Sequence, residues 1–183
     1  MPDGQRALFL DFGGTLALVE DGRTVVDADG NPVLLPHVEE VLARFRPGFD
    51  SCFIVSNQAR IARREITETE VLRRFGWLNQ RLGGIFTDWR ICPHGDGDGC
   101  VCRKPRPGVF LDLAAAHRVE LAASTHVGDS EKDRDAARAA GVGTFRLGAR
   151  LLRGGSGWPA ARLSPATLGT LGGGLRPPFR TSP

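Results

Sequence analysis

Short apolar runs alternate along this chain with longer stretches in which apolar residues recur every three or four positions. Ala7-Leu8-Phe9-Leu10 is an unbroken apolar run that meets Asp11 and then Phe12-Gly13-Gly14-Thr15-Leu16. A parallel strand buried on both faces reads this way. Val38, Val41, Leu42 and Phe45 predict a helix over Pro36 to Phe45, ended by Pro47-Gly48. Cys52-Phe53-Ile54-Val55 reads as a second buried strand that stops at Ser56-Asn57-Gln58. Thr67 with Glu70 is a capping-box signature. The helix it opens turns Val71, Leu72, Phe75, Leu78 and Leu82 inward, and Gly83-Gly84 closes it. Ile85-Phe86-Thr87 predicts a third strand. Pro107 opens a helix to His117, with Val109, Phe110, Leu113 and Ala114 inward. Thr125-His126-Val127-Gly128 predicts a fourth strand, Glu131 to Ala140 a helix closed by Gly141, and Val142 to Leu147 a fifth strand. Asp21 to Asn31, with a short Thr24-Val25-Val26 strand inside it, reads as a loop or hairpin over the edge of the site.

Strands and helices in alternation predict an α/β fold with a doubly wound parallel sheet. Ligands in such sheets sit beyond the C-terminal strand ends. Asp11, Ser56-Asn57, the loop before Lys104 and Asp129 all fall there. The stretch between the first strand and the Pro36 helix is too short for an independent core, so little or no cap domain is expected. Residues 1–153 read as one domain. From 154 to 183 Gly, Pro, Arg and Ser dominate. That extension is expected to be partly mobile, with a short helix from Ser164 to Leu171.

Composition adds limits. With 183 residues, 41% hydrophobic and 25% charged, the chain has ordinary globular proportions. A net charge of +3 suits an anionic small molecule and gives no ground for a nucleic-acid partner. No run has the length of a membrane span, and the first residues carry no apolar leader. The expectation is a cytoplasmic monomer without membrane or nucleic-acid partners.

Asp11, at a strand end with glycines beside it, is a candidate nucleophile toward a phosphate ester; a turn-capping aspartate is the plain alternative. Asp11 and Asp129, on neighbouring strand ends, can both reach one Mg²⁺, and Asp133 lies one helical turn further on. Asp133 also suits a helix N-terminus. Ser56 and Asn57 can donate to phosphate oxygens or cap a helix. Lys104 is one of only two lysines in an arginine-rich chain, the other being Lys132. A lysine there can neutralise a transferring phosphoryl group. Cys92, His94, Cys100 and Cys102 offer three thiolates and an imidazole, a tetrahedral set for structural Zn²⁺. Cys52 stands apart in an apolar strand.

Together, Asp11-Phe-Gly-Gly-Thr15, Ser56-Asn57-Gln58, Cys92-Pro-His94 with Cys100-Val-Cys102-Arg103-Lys104, and Gly128-Asp129 with Asp133 resemble the haloacid dehalogenase superfamily of phosphohydrolases. The resemblance is to its zinc-loop subfamily, which holds heptose 1,7-bisphosphate 7-phosphatases and histidinol-phosphate phosphatases. It spans residues 7 to 147. It implies Asp11 as nucleophile, with Asp11, the carbonyl of Gly13 and Asp129 holding Mg²⁺, and Asp133 nearby. Thr15, Ser56, Asn57, Arg103 and Lys104 are implied to hold substrate, and Cys92, His94, Cys100 and Cys102 to hold zinc. The run Asn57 to Arg63 looks more like the heptose branch; the short gap from His94 to Cys100 looks more like the histidinol branch. One position departs. The family's phosphatases usually carry an acid–base aspartate two residues after the nucleophile, and here that residue is Gly13. Asp21, Asp27 and His37 are candidates to replace it by lying on nearby loops. The implied activity is a Mg²⁺-dependent phosphatase of a small phosphorylated metabolite such as a sugar phosphate. The alternatives are a histidinol-phosphate phosphatase and a catalytically impaired relative that binds phosphorylated ligands or a protein partner.

Overall fold

The computed structural model describes residues 4–148. The C-terminal extension, with its expected helix and tail, lies outside the described residues.

Five parallel strands form the sheet: β1 (Ala7–Leu10), β4 (Ser51–Asn57), β5 (Asp88–Cys92), β6 (Thr125–Gly128) and β7 (Thr144–Leu147). Their spatial order is β5-β4-β1-β6-β7, so β1 is central. The two remaining strands, β2 (Val19–Glu20) and β3 (Arg23–Thr24), make a small antiparallel hairpin. The helices are α1 (Val38–Phe45), α2 (Ala59–Ala62), α3 (Glu68–Arg81), α4 (Gly108–His117) and α5 (Glu131–Ala140).

Side chains on a strand alternate between faces, and β1 shows this directly. Leu8 and Leu10 pack with Cys52, Ile54, Val38, Leu42, Val71, Phe75 and Leu78, the core under α1 and α3. Ala7 and Phe9 pack with Phe53, Val55, Phe110, Leu113 and Ala136, the core under α4 and α5. Every residue of β1 is buried. This explains its unbroken apolar run. The sheet is doubly wound, and the strand ends that carry polar residues all emerge on one edge.

Several expected boundaries move. The third strand lies at Asp88–Cys92, not Ile85–Thr87. Phe86 is drawn into the core beneath α3, its amide capped by Asn79 Oδ1 at 2.9 Å, and only at Thr87 does the chain begin to bond to Cys52. The strand sits on the sheet edge and is half-buried. It therefore tolerates Asp88 and Arg90, which pair at 2.9 Å, and its pattern is less apolar than the central strands'. Cys92 consequently ends a strand, in register with Asn57. The strand expected at Thr24-Val25-Val26 is the β2–β3 hairpin. Its Asp21-Gly22 turn has positive φ at both residues, as a two-residue hairpin turn requires. Pro107 caps α4 instead of beginning it, α1 starts at Val38 instead of Pro36, and β7 starts at Thr144 instead of Val142. The Thr67 cap of α3 is as expected, accepting from the Glu70 amide at 3.1 Å.

Candidate active site

Asp11 follows β1, and its amide still donates to Val127 O at 2.9 Å, so its position is fixed by the sheet. The chain then reverses through Phe12–Ala17. Gly14 has φ +77°, and a Cβ there would come within 2.0 Å of Asp129 Oδ2. Only glycine lets the turn after β1 approach the carboxylate after β6 so closely.

Lys104 is the centre of the site. It is 3% exposed, and its ammonium donates to Asp11 Oδ1 at 2.6 Å, Asp133 Oδ1 at 2.5 Å and Val55 O at 2.9 Å. All three of its hydrogens are therefore used. Its backbone is fastened as well. The Asn57 side chain donates to Lys104 O at 2.9 Å and accepts from Lys104 N at 3.0 Å. Thus Asn57, at the end of β4, secures the loop that delivers the lysine. Ser56 is buried, and its hydroxyl accepts from Gln58 Nε2 at 2.9 Å, leaving its own hydrogen to donate.

Asp133 forms a capping box with Ser130 at the start of α5. Its Oδ2 takes the Ser130 hydroxyl and amide, while its Oδ1 takes Lys104 and lies 3.4 Å from His126 Nε2. These contacts place it as the lysine's second counter-charge. Asp11, Asp129 and Asp133 present oxygens within 4.8 Å of one another. Burial pushes the Asp11 carboxyl up to about 6 even against the pull of Lys104. Burial and neighbouring Asp133 also raise Asp129. Three carboxylates against one ammonium leave two negative charges, which suits a divalent cation with oxygen ligands.

The second cluster stands beside this one. Cys92 Sγ lies 3.6 Å from Cys100 Sγ and 3.6 Å from His94 Nδ1, and His94 Nδ1 lies 3.3 Å from Cys102 Sγ. Tetrahedral zinc with its usual bond lengths separates such ligand atoms by about 3.5–3.8 Å. Burial and the neighbouring sulfurs push the Cys102 thiol up to about 12, so a cation is needed to keep all three sulfurs ionised together. The residues fit a closed structural zinc site. Cys102 is two residues before Lys104, and Arg103 between them is held by Asp96 Oδ1 at 2.8 Å and His94 O at 3.2 Å.

A model of the haloacid dehalogenase-like hydrolases matches residues 4–141. The chain belongs to the haloacid dehalogenase-like hydrolases. The D-glycero-beta-D-manno-heptose-1,7-bisphosphate 7-phosphatase of Bordetella bronchiseptica is 32% identical over 140 residues, 74% of this chain and 76% of that protein. Its counterpart in Escherichia coli is 32% identical over 148 residues, 75% of this chain and 76% of that one. The crystal structure of D,D-heptose 1,7-bisphosphate phosphatase from B. bronchiseptica, complexed with magnesium and phosphate, superposes with a TM-score of 0.69 at 30% identity, covering 85% of this chain and 89% of that one.

In this haloacid dehalogenase-like hydrolase, a cavity of about 480 Å³ opens over Asp11. Of the residues singled out in the sequence, Gly13, Ser56, Asn57, Arg103, Lys104, Asp129 and Asp133 line it. Thr15 does not. The turn carries its buried side chain away from the cavity to lie beside Gly148. Asp21, Asp27 and His37 stay outside the lining as well. Asp21 is at the hairpin tip, Asp27 Oδ1 caps the amides of Asp29 and Asn31, and His37 pairs with Glu40 at 3.2 Å.

The sequence reading missed the cationic wall. Arg60, Arg63 and Arg74 line the cavity from α2, its end and α3. Glu65 holds Arg60 at 3.0 Å and Arg63 at 2.6 Å, and Glu70 holds Arg74 at 2.9 Å. Hydrogen bonds from Arg73 and Arg74 keep the Glu70 carboxyl down at about 2. The available signal was the polar spacing in Asn57-Gln58-Ala59-Arg60-Ile61-Ala62-Arg63 directly after a strand end.

Proposed function

We propose that this chain is a Mg²⁺-dependent phosphatase of a small phosphorylated sugar, working through an aspartyl phosphate on Asp11. The observation that carries this reading is the buried lysine shared by Asp11 and Asp133 at the C-terminal edge of the sheet. The named relatives act on a heptose bisphosphate, which favours a sugar phosphate over histidinol phosphate.

In this reading Asp11, Asp129 and the Gly13 carbonyl would hold a magnesium ion, whose charge would offset repulsion between carboxylate and phosphate. Asp11 attacks phosphorus in line. Lys104 lies against Asp11 and neutralises charge gathering on the phosphoryl oxygens. The Ser56 hydroxyl donates to one of those oxygens. Asn57 positions Lys104 through its backbone, and Asp133 holds the ammonium on its far side. Cys92, His94, Cys100 and Cys102 would hold zinc as a structural ion, which would order the loop carrying Arg103 and Lys104.

Phosphate release measured over a panel of sugar, histidinol, acyl and aryl phosphates tests the reading. The expected result is release that requires Mg²⁺ and is strongest among sugar and activated phosphates. Release equal with and without Mg²⁺, or none at all, refutes it.

The zinc site makes a separate prediction. Cys100→Ser should lower the zinc content found by elemental analysis from one equivalent to none. Amide exchange should rise across residues 93–103 while β1 and β4 stay protected. Displacing a catalytic group by about 1 Å costs on the order of 10²-fold in rate, and a loss of that size is expected here. Unchanged metal content would remove zinc from the account.

A further inference from the structure

Resting on that reading, we propose that this site cleaves phosphates whose leaving oxygen departs as a stabilised anion, so that on a sugar it takes the anomeric phosphate and not one on a primary carbon. When Asp11 attacks, the bond from phosphorus to the ester oxygen breaks and that oxygen keeps the electron pair. An ordinary alcohol then leaves as a high-energy alkoxide unless a proton reaches it. A positioned acid contributes about 10²–10⁴-fold to such a step.

Among the described residues, the cavity lining holds no buried acid free to do this. Its carboxyl groups are Asp11, Asp129 and Asp133. Asp11 is the attacking group. Asp133 spends both oxygens on Lys104, His126 and Ser130. Asp129 faces the Gly14 turn within the proposed magnesium set. Lys104 has committed its three hydrogens, and Lys132 is 59% exposed beside Asp96. No His, Cys or Glu side chain is among the described residues that line the cavity, and the chain contains no Tyr. Outside the described residues, 149–183 include no Asp, Glu, His, Cys or Lys, and the one carboxyl side chain in 1–3, that of Asp3, adjoins Gly4, which lies against Glu120. Gly13, at the cavity wall, presents only hydrogen there.

The cavity offers positive charge instead. Arg60, Arg63, Arg74 and Arg103 line it, each held from outside by Glu65, Glu70 or Asp96. Guanidinium groups do not give up protons at working pH, but they stabilise an anion through charge and hydrogen bonds. A leaving group that makes a more stable anion than an ordinary alkoxide, such as a carboxylate, a phosphate, a phenolate or, to a smaller degree, a sugar's anomeric oxygen, uses this wall and depends less on an acid. The second half-reaction makes a smaller demand. Water attacks phosphorus, the bond to the Asp11 oxygen breaks, the carboxylate leaves with its electron pair, and the water's proton ends on the released phosphate.

The test is kcat/KM, with Mg²⁺ present, over aryl phosphates graded by phenol acidity. A hexose phosphorylated at its anomeric carbon is compared with the same hexose phosphorylated at its terminal carbon. Wild type is set beside Gly13→Asp and the double variant Gly13→Asp/Val19→Ala. The second is needed because a Cβ on Gly13 would meet Val19 Cγ2 at 3.1 Å. For wild type, rates should fall steeply as the leaving group becomes more basic, and the anomeric phosphate should outrun the terminal one. An aspartate at position 13 should flatten the dependence and raise the terminal phosphate by about 10²-fold or more. A flat dependence in wild type overturns the proposal, because a proton donor must then be at work. If the variants do not fold, the wild-type slope decides alone. If even the most acidic phenol gives no release that Asp11→Asn abolishes, the phosphatase reading fails and the leaving-group proposal falls with it.

Discussion

Asp11→Asn is expected to abolish phosphate release while leaving the fold intact. In the proposed mechanism the amide cannot attack phosphorus, so the path through an aspartyl phosphate is closed. Removing a nucleophile of this kind costs about 10⁴–10⁶-fold in rate. The structure also says why the protein should survive the change. Asp11 is 6% exposed, and burial pushes its carboxyl up to about 6, so the charge is held against its preference. An amide of the same shape relieves that tension. Lys104 keeps Asp133 and Val55 O as partners. Thermal unfolding in Mg²⁺-free buffer should show a Tm at or above that of wild type. Residual turnover near the wild-type rate would mean that another group attacks phosphorus.

The opposite profile is expected from Lys104→Met, which should damage fold and activity together. The substitution preserves much of the side chain's bulk but leaves Asp11 and Asp133 facing one another without the cation between them. Breaking one side of a buried ionic set costs about 3–5 kcal/mol. For a domain of this size that is a fall in Tm of about 10 °C. Lys104→Arg should not repair it, because a planar fork cannot copy three hydrogens directed at Asp11, Asp133 and a backbone carbonyl. Adding Asp133→Asn to Lys104→Met should recover part of the stability and none of the activity. Recovery of both would show that Lys104 serves only the fold.

The central framework was legible because its chemistry and its periodicity coincide. Leu8 to Asp11 is apolar through both faces of the sheet and then abruptly acidic, a pattern that a surface loop does not generate. Cys92, His94, Cys100 and Cys102 are close in sequence, so the turn that gathers their side chains is short. What escaped was set by tertiary context. The edge strand Asp88–Cys92 hides behind charged residues that an edge tolerates, while the apolar Ile85-Phe86 leading into it packs under α3. Thr15 belongs to the right motif by sequence, yet the reversal at Gly13–Ala17 turns it toward Gly148. Arg60, Arg63 and Arg74 reach one cavity from two helices and the turn after the first, a convergence that linear spacing does not show.

The paired hydrogen bonds between Asn57 and the Lys104 backbone have an energetic consequence. A lysine stem carries about 2 kcal/mol of rotamer entropy. Here the peptide unit at its root is clasped by the end of β4, and the ammonium at its tip is fixed by three acceptors. The ordering cost therefore falls on folding, and an arriving phosphate meets a charge that is already still.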